Sequence, residues 1–246
     1  MEILKGVKTL DGLPAILIEK LRVACVADLH LGYELALAEK GVFVPSTQLQ
    51  EILRTLRLIL KQSKPETLIL LGDVKHEFGE ASRQEWREVR KLSEFLRRKV
   101  KKLILVRGNH DNYLLTICSH LGLEVHDPFY FVEGICFVHG HKRIRYPKGT
   151  RVVVTAHEHP SLALREGYSK VKVPCLLHGK TKDGKKLVCL PAISPLASGT
   201  EVNAISQPEL LSPLLREEVE LDELVPVVLD KEVGALSFPK LKFLSA

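Results

Sequence analysis

The sequence predicts a mixed α/β domain, with strands and helices alternating in its first half and extra antiparallel strands in its second. Three observations predict it. Five short apolar runs rich in Val, Ile and Leu recur, at 23–27, 67–71, 103–106, 135–138 and 152–156. None alternates apolar with polar residues, so each reads as a strand buried on both faces. Two segments between the early runs carry apolar residues at helical spacing, which reads as βαβ units up to residue 107.

The elements follow in order. Val23–Ala27 opens the set of buried strands. After Pro45, Ser46 is expected to cap a helix whose stripe is Leu49, Ile52, Leu53, Leu56 and Leu60. Thr67–Leu71 is the next strand. Ser82 and Glu85 form an S-x-x-E capping box ahead of Trp86, Val89, Leu92, Leu96 and Val100 at helical spacing. Leu103–Val106 is the third strand. From residue 129 on, strands follow one another with short breaks, and Lys182-Asp183-Gly184-Lys185 reads as a hairpin turn. The chain shows no internal repeat, low-complexity stretch or linker, so 1–246 is expected to form a single domain.

A chain of 246 residues can bury a core without disulfide staples. With 45% hydrophobic and 27% charged residues it is neither a disordered nor a membrane protein. No apolar run approaches the ~20 residues of a membrane span, and the N-terminus lacks a signal-peptide pattern. The five cysteines are odd in number, widely spaced and without C-x-x-C, which points to a cytoplasmic setting and away from a thiolate metal site. The net charge of +6 is unevenly spread: residues 83–107 hold ten Lys/Arg against three Asp/Glu. A basic face can attract a polyanion, but a solvated helix face gives the same pattern, and no aromatic run accompanies these charges.

Each buried run ends in residues that bind metal or move protons: Asp28-Leu29-His30, Gly72-Asp73, Gly108-Asn109-His110-Asp111, His139-Gly140-His141 and His157-Glu158-His159. Ligands of open α/β sheets bind outside the carboxyl ends of strands, where such loops converge. Seven of the ten histidines fall in or beside these loops. Alternation along an extended segment would place Asp28 with His30, and His157 with His159, on one side. With Asp73, Asn109 and His139 this makes seven oxygen and imidazole donors, too many for one tetrahedral ion and suited to two metals sharing a carboxylate. Two ions ~3.5–4 Å apart can clamp the attacking and leaving oxygens at phosphorus.

The ordered set D-x-H, G-D, G-N-H-D, H-G-H and H-x-H resembles the calcineurin-like metallophosphoesterase superfamily. The segments 28–34 and 72–78 are similar to an archaeal branch related to the nuclease subunit of the double-strand-break repair complex. One departure is Ala156, where the last motif of the family usually begins with Gly. The resemblance implies a two-sheet β-sandwich flanked by helices. It implies Asp28, His30 and His159 on one metal, Asn109, His139 and His157 on a second, and Asp73 bridging both. It further implies attack by a bridging hydroxide, His110 as general acid, and Asp111 orienting His110. Mn²⁺ is the expected ion, with Fe, Zn²⁺ or Ni²⁺ as alternatives. His141, Arg143, Arg145 and His76 are candidates for substrate-side roles.

The reaction expected is hydrolysis of a phosphoester, a phosphodiester before a monoester, with nucleic acid or nucleotide as candidate substrate. The alternatives are a phosphomonoesterase or cyclic-nucleotide phosphodiesterase on small molecules, and a catalytically silent scaffold. No membrane partner is expected; a homo-oligomer and a DNA-repair partner stay open.

Overall fold

A computed structural model of the chain describes residues 1–167 and 169–244. The first sheet contains β1 (Glu2–Leu4), β2 (Val7–Leu10), β3 (Leu13–Ile18), β4 (Val23–Val26), β5 (Thr67–Leu71), β6 (Lys102–Val106) and β7 (Glu124–His126), side by side in chain order. Strands β1 to β4 pair antiparallel, and β4, β5, β6 and β7 run parallel. Between the parallel strands lie α1 (Tyr33–Glu39), α2 (Gln48–Ser63), α3 (Arg83–Arg97) and α4 (Leu114–Leu121).

The second sheet takes the rest of the chain: β8 (Phe129–Val132), β9 (Ile135–Val138), β10 (Val152–Thr155), β11 (Pro160–Glu166), β12 (Ser169–Lys180), β13 (Lys186–Cys189), β14 (Thr200–Glu201), β15 (Val225–Asp230) and β16 (Gly234–Ser237). Here β9, β10 and β13 are parallel and the remaining pairs mostly antiparallel. A short helix, α5 (Pro213–Glu217), lies in the segment before β15. Gly184, at φ 87°, makes the turn between β12 and β13 that the Lys182–Lys185 segment foretells.

Alternation along the central strands explains the layers. In β5, Leu68 and Leu70 face α2, α3 and α4, where they meet Ile52, Leu56, Val89, Leu92 and Leu96. Ile69 and Leu71 point the other way and join Ile104, Val106, Phe137, Val154, Leu176 and Val188 in a layer shared by both sheets. The outer face of the second sheet, with Val153, Leu177 and Cys189, is covered by Leu210, Leu214, Leu215 and Leu221. With both faces of both sheets covered, the central strands have no polar face, which is why they read as unbroken apolar runs. Each buried Leu, Ile or Val side chain contributes about 1.5–3 kcal/mol, so the shared layer is what clamps the sheets together. All five cysteines are free and buried in these layers.

The helix starts show which signals are local. At α3 the capping box is present: Ser82 Oγ accepts the Glu85 N–H at 3.1 Å, and Glu85 accepts the Ser82 N–H at 2.6 Å. At α2 the expectation of Ser46 as cap is corrected. The cap position is Thr47, with no side-chain cap bond, and Glu34 of α1 accepts the Gln48 N–H at 2.7 Å. A carboxylate 14 residues upstream replaces the local hydroxyl.

Candidate active site

The motif loops all leave the carboxyl ends of parallel strands. Asp28 and His30 follow β4, Asp73 follows β5, and Asn109 and His110 follow β6; His139 follows β9, and His157 and His159 follow β10. The first three loops belong to one sheet and the last two to the other, so the site straddles the edge where the sheets meet.

The pairs converge by another route than alternation along an extended segment. Asp28, His30, Asp73, His157 and His159 have φ of 56°, 50°, 48°, 71° and 50°, all left-handed. For residues other than Gly this backbone costs of order 1–3 kcal/mol each and persists only where the surroundings dictate it. Here the loops dictate one another: the His30 N–H donates to the Asp73 carbonyl at 2.8 Å, and the Leu31 N–H to that of Val74 at 2.9 Å. Gln48 Nε2 donates to the His30 carbonyl at 2.9 Å and to Ser194 Oγ at 2.9 Å. Two glycines allow the close approach. A Cβ on Gly72 would run into the His139 ring, and one on Gly108 into the Asp73 carboxylate. Ala156, by contrast, is buried outside the left-handed region, with its N–H on the His139 carbonyl at 3.0 Å, so the missing glycine is not needed.

The carboxylates of Asp28 and Asp73 form the centre. Asp28 Oδ1 lies 2.9 Å from His139 Nε2, and Asp28 Oδ2 lies 3.3 Å from His159 Nε2. Asp73 Oδ1 accepts the His110 N–H at 2.9 Å, which leaves Oδ2 facing His139 Nε2 at 3.5 Å, His110 Nε2 at 3.8 Å and His30 Nε2 at 4.0 Å. Asp28, His30 and His159 form one group with ligand atoms mutually within 4.8 Å, and Asp73, His139 and His157 form another. A third joins His30, His76 and His110.

The electrostatics match a cluster built around positive charge. Burial pushes Asp73 up to about 7, assisted by the Asp111 and Asp28 carboxylates against the pull of His139. Burial also opposes the charge on His139, yet Asp73 and Asp28 together outweigh it and hold the ring at about 9. Burial and the neighbouring His139 push His157 down to about 3, leaving it a neutral donor.

The donor set fits divalent ions. The two groups offer carboxylate oxygens and imidazole nitrogens, without thiolate. Asn109 Oδ1 and His30 Nδ1 are buried without a hydrogen-bond partner. His30 Nε2 and His159 Nε2 face each other at 3.4 Å, where at most one hydrogen bond can form, whereas two lone pairs can share an ion.

Some residues stand elsewhere than the motifs suggest. Asp111 is buried, but its carboxylate accepts the N–H groups of Val74 at 2.9 Å and Gly108 at 2.9 Å, not a nitrogen of the His110 ring. The ring's Nδ1–H is instead donated to the His76 carbonyl. Arg143 is engaged by Glu217 at 2.5 Å and Arg145 is exposed, with no described contact to the cluster. His141 does reach it, its Nδ1 lying 3.1 Å from His139 Nδ1. His76 lines it with its ring 5.4 Å from those of His30 and His110.

The motifs do not point to Tyr33 and Phe78. Tyr33 stacks on His76 with centroids 3.7 Å apart, and Phe78, 56% exposed, stacks on His110 at 3.8 Å. Their signal in the sequence is their place in the segments 28–34 and 72–78, Tyr33 three residues after His30 and Phe78 two after His76. Glu85 was visible only as a cap. It is buried, accepts the N–H groups of His76 at 3.1 Å and Glu77 at 2.9 Å, and faces the buried Lys75 ammonium at 3.9 Å.

Two stacked sheets whose parallel strands deliver imidazoles and carboxylates to one edge define a metal-dependent phosphoesterase scaffold. The chain belongs to the calcineurin-like phosphoesterase family, whose pattern matches residues 21–161. In structure it is similar to the nuclease MPE of Pseudomonas putida, at 25% identity and a TM-score of 0.60, covering 91% of this chain and 93% of that one. A looser likeness is to Yfce, a phosphoesterase from E. coli, at 19% identity and a TM-score of 0.41, covering 91% and 94%. No curated protein matches the sequence. No helix among the described residues is long and apolar enough to cross a membrane.

Proposed function

We propose that this chain hydrolyses phosphodiesters of the nuclease type, with two divalent ions, Mn²⁺ first among them, and His110 as general acid. The observation that carries the reading is the convergence of two ligand groups on Asp28 and Asp73, with His110 Nε2 at 3.8 Å from Asp73 Oδ2. The similarity to a nuclease over most of both chains supports the diester.

Asp28, His30 and His159 would hold one ion, Asn109, His139 and His157 the other, and Asp73 would serve both. Bound there, the ions supply Lewis acidity at the phosphoryl oxygens and make water a stronger acid. The chain's own residues then divide the remaining work. The strained loops fix the carboxylates and imidazoles before substrate arrives, so little rearrangement opposes the reaction. The His76 carbonyl holds the Nδ1–H of His110, leaving Nε2 to carry a proton to the departing oxygen. Phe78 against the His110 ring restricts its rotation and shields that side from water.

The test is hydrolysis of bis-p-nitrophenyl phosphate by protein stripped of metal and reloaded with Mn²⁺, beside His110→Ala. Turnover that requires Mn²⁺ and falls at least 100-fold in the variant is the expected result. Turnover unaffected by the variant would remove His110 from the reaction, and absence of turnover in the reloaded wild type would refute the diesterase.

A further inference from the structure

Helix α3 sorts its charges by sign. Of its three carboxylates, Glu85 and Glu88 are buried: Glu85 holds the His76 and Glu77 N–H groups, and Glu88 accepts the Gly32 N–H at 3.2 Å. Only Glu94 is exposed. The cations Arg83, Arg87, Arg90, Lys91, Arg98 and Lys99, on the helix and the turn after it, are all exposed. Nearby Arg22, Lys101, Lys102 and Arg107 are taken up by Glu66, Glu124 and Asp127. Among the described ion pairs, none involves the six.

A solvated helix face normally intersperses signs at i,i+4, which stabilises it by a few tenths of a kcal/mol per pair. Here Arg83–Arg87 and Arg87–Lys91 stand at i,i+4 with like charge, while the one exposed carboxylate, Glu94, stands at i,i+4 to Arg90 and Arg98, so the unrelieved repulsion lies in the first half of the face. An external anion would relieve that repulsion. The row also starts at the site, because the first turn of α3 carries the Glu85 that holds the loop bearing His76. From Arg83 to Arg98 it extends about 22 Å at 1.5 Å per residue. A nucleic-acid duplex presents a phosphate on each strand every ~3.4 Å of axis, so the row spans about six base-pair steps.

We propose that the exposed face of α3 is a docking track for the sugar-phosphate backbone of a nucleic acid whose scissile phosphodiester lies at the metal-ligand cluster. This deepens the phosphodiesterase reading and rests on it. The track reads charge and spacing, not sequence, since it offers cations to phosphates and no groups to base edges.

The experiment measures fluorescence anisotropy of a labelled 20-base-pair DNA duplex of mixed sequence, in EDTA, across a salt titration. It compares wild type, R83Q/R87Q/R90Q, and a control, K5Q/K148Q/K180Q, that removes three exposed lysines elsewhere. The α3 variant is expected to bind at least tenfold more weakly at 100 mM salt, with its log–log salt slope reduced by about 2–3. The control should change less than threefold, and all three proteins should hydrolyse bis-p-nitrophenyl phosphate within twofold of one another. Equal losses in both variants, no salt-dependent binding by wild type, or polyglutamate competing as well as DNA would each overturn the track. The two claims fail separately: wild type without small-diester turnover refutes the reading of the site, whereas DNA binding unchanged in the α3 variant refutes the track.

Discussion

At Asp111, the choice between holding a ring and holding a loop is settled by what its oxygens accept. Both are occupied by backbone N–H groups from the loops after β5 and β6, so the carboxylate ties Gly108 to Val74 and thereby sets Asp73 beside His110. Asp111→Asn puts an NH2 group against one of those donors and is expected to cost about 1–3 kcal/mol of stability, read by urea denaturation. A variant as stable as wild type with only a shifted pH–rate profile would return Asp111 to the ring. The six side chains that the structure gathers into two groups were legible because Asp and His recur just past apolar runs, a local pattern. Tyr33, Phe78 and Gln48 were not, because the contacts Tyr33–His76, Phe78–His110 and Gln48–Ser194 join residues 32 to 146 positions apart. The left-handed backbone of five site residues was equally hidden, since it is imposed by loop-to-loop hydrogen bonds and not by residue type.

Helix α3 has its local and its long-range stabilisation at the same end. Ser82→Ala removes one cap bond and should cost about 1 kcal/mol. Glu85→Ala removes the acceptor for three N–H groups and leaves the buried Lys75 ammonium without its carboxylate, so about 3 kcal/mol or more is expected. Thermal or urea unfolding of the two variants ranks them; equal costs would mean that Glu85 acts as a cap alone. The cap itself was readable because donor and acceptor lie three residues apart. The start of α2 is not readable locally, its N-terminal donor being met by Glu34 from another helix. Strands β1 to β3 were not anticipated either: β1 and β2 span three and four residues, too short for a period to declare itself.

Across the whole molecule, metal should act as a structural ligand as well as a catalytic one. An ion that binds only the folded state, at 100 times its Kd, adds about 2.7 kcal/mol, which for a domain of this size is about 5–10 °C in Tm. Stripped and Mn²⁺-reloaded protein should differ by that amount in a melting experiment, and identical curves would count against the cluster as a metal centre. The alternation of strands and helices was visible in the apolar runs, but the stacking of two sheets came from family resemblance, because a run buried on both faces does not say what buries it. That stacking follows chain order, β1 to β7 in one sheet and β8 to β16 in the other. The genetic seam of the protein is therefore also the seam of its site. Cut between His126 and Phe129, the chain would yield one piece with Asp28, His30, Asp73, Asn109 and His110 and another with His139, His157 and His159. Neither piece should turn over substrate alone, while co-expression should restore activity only as the two pieces reassemble. The enzyme would then report its own assembly, in the manner of a split reporter.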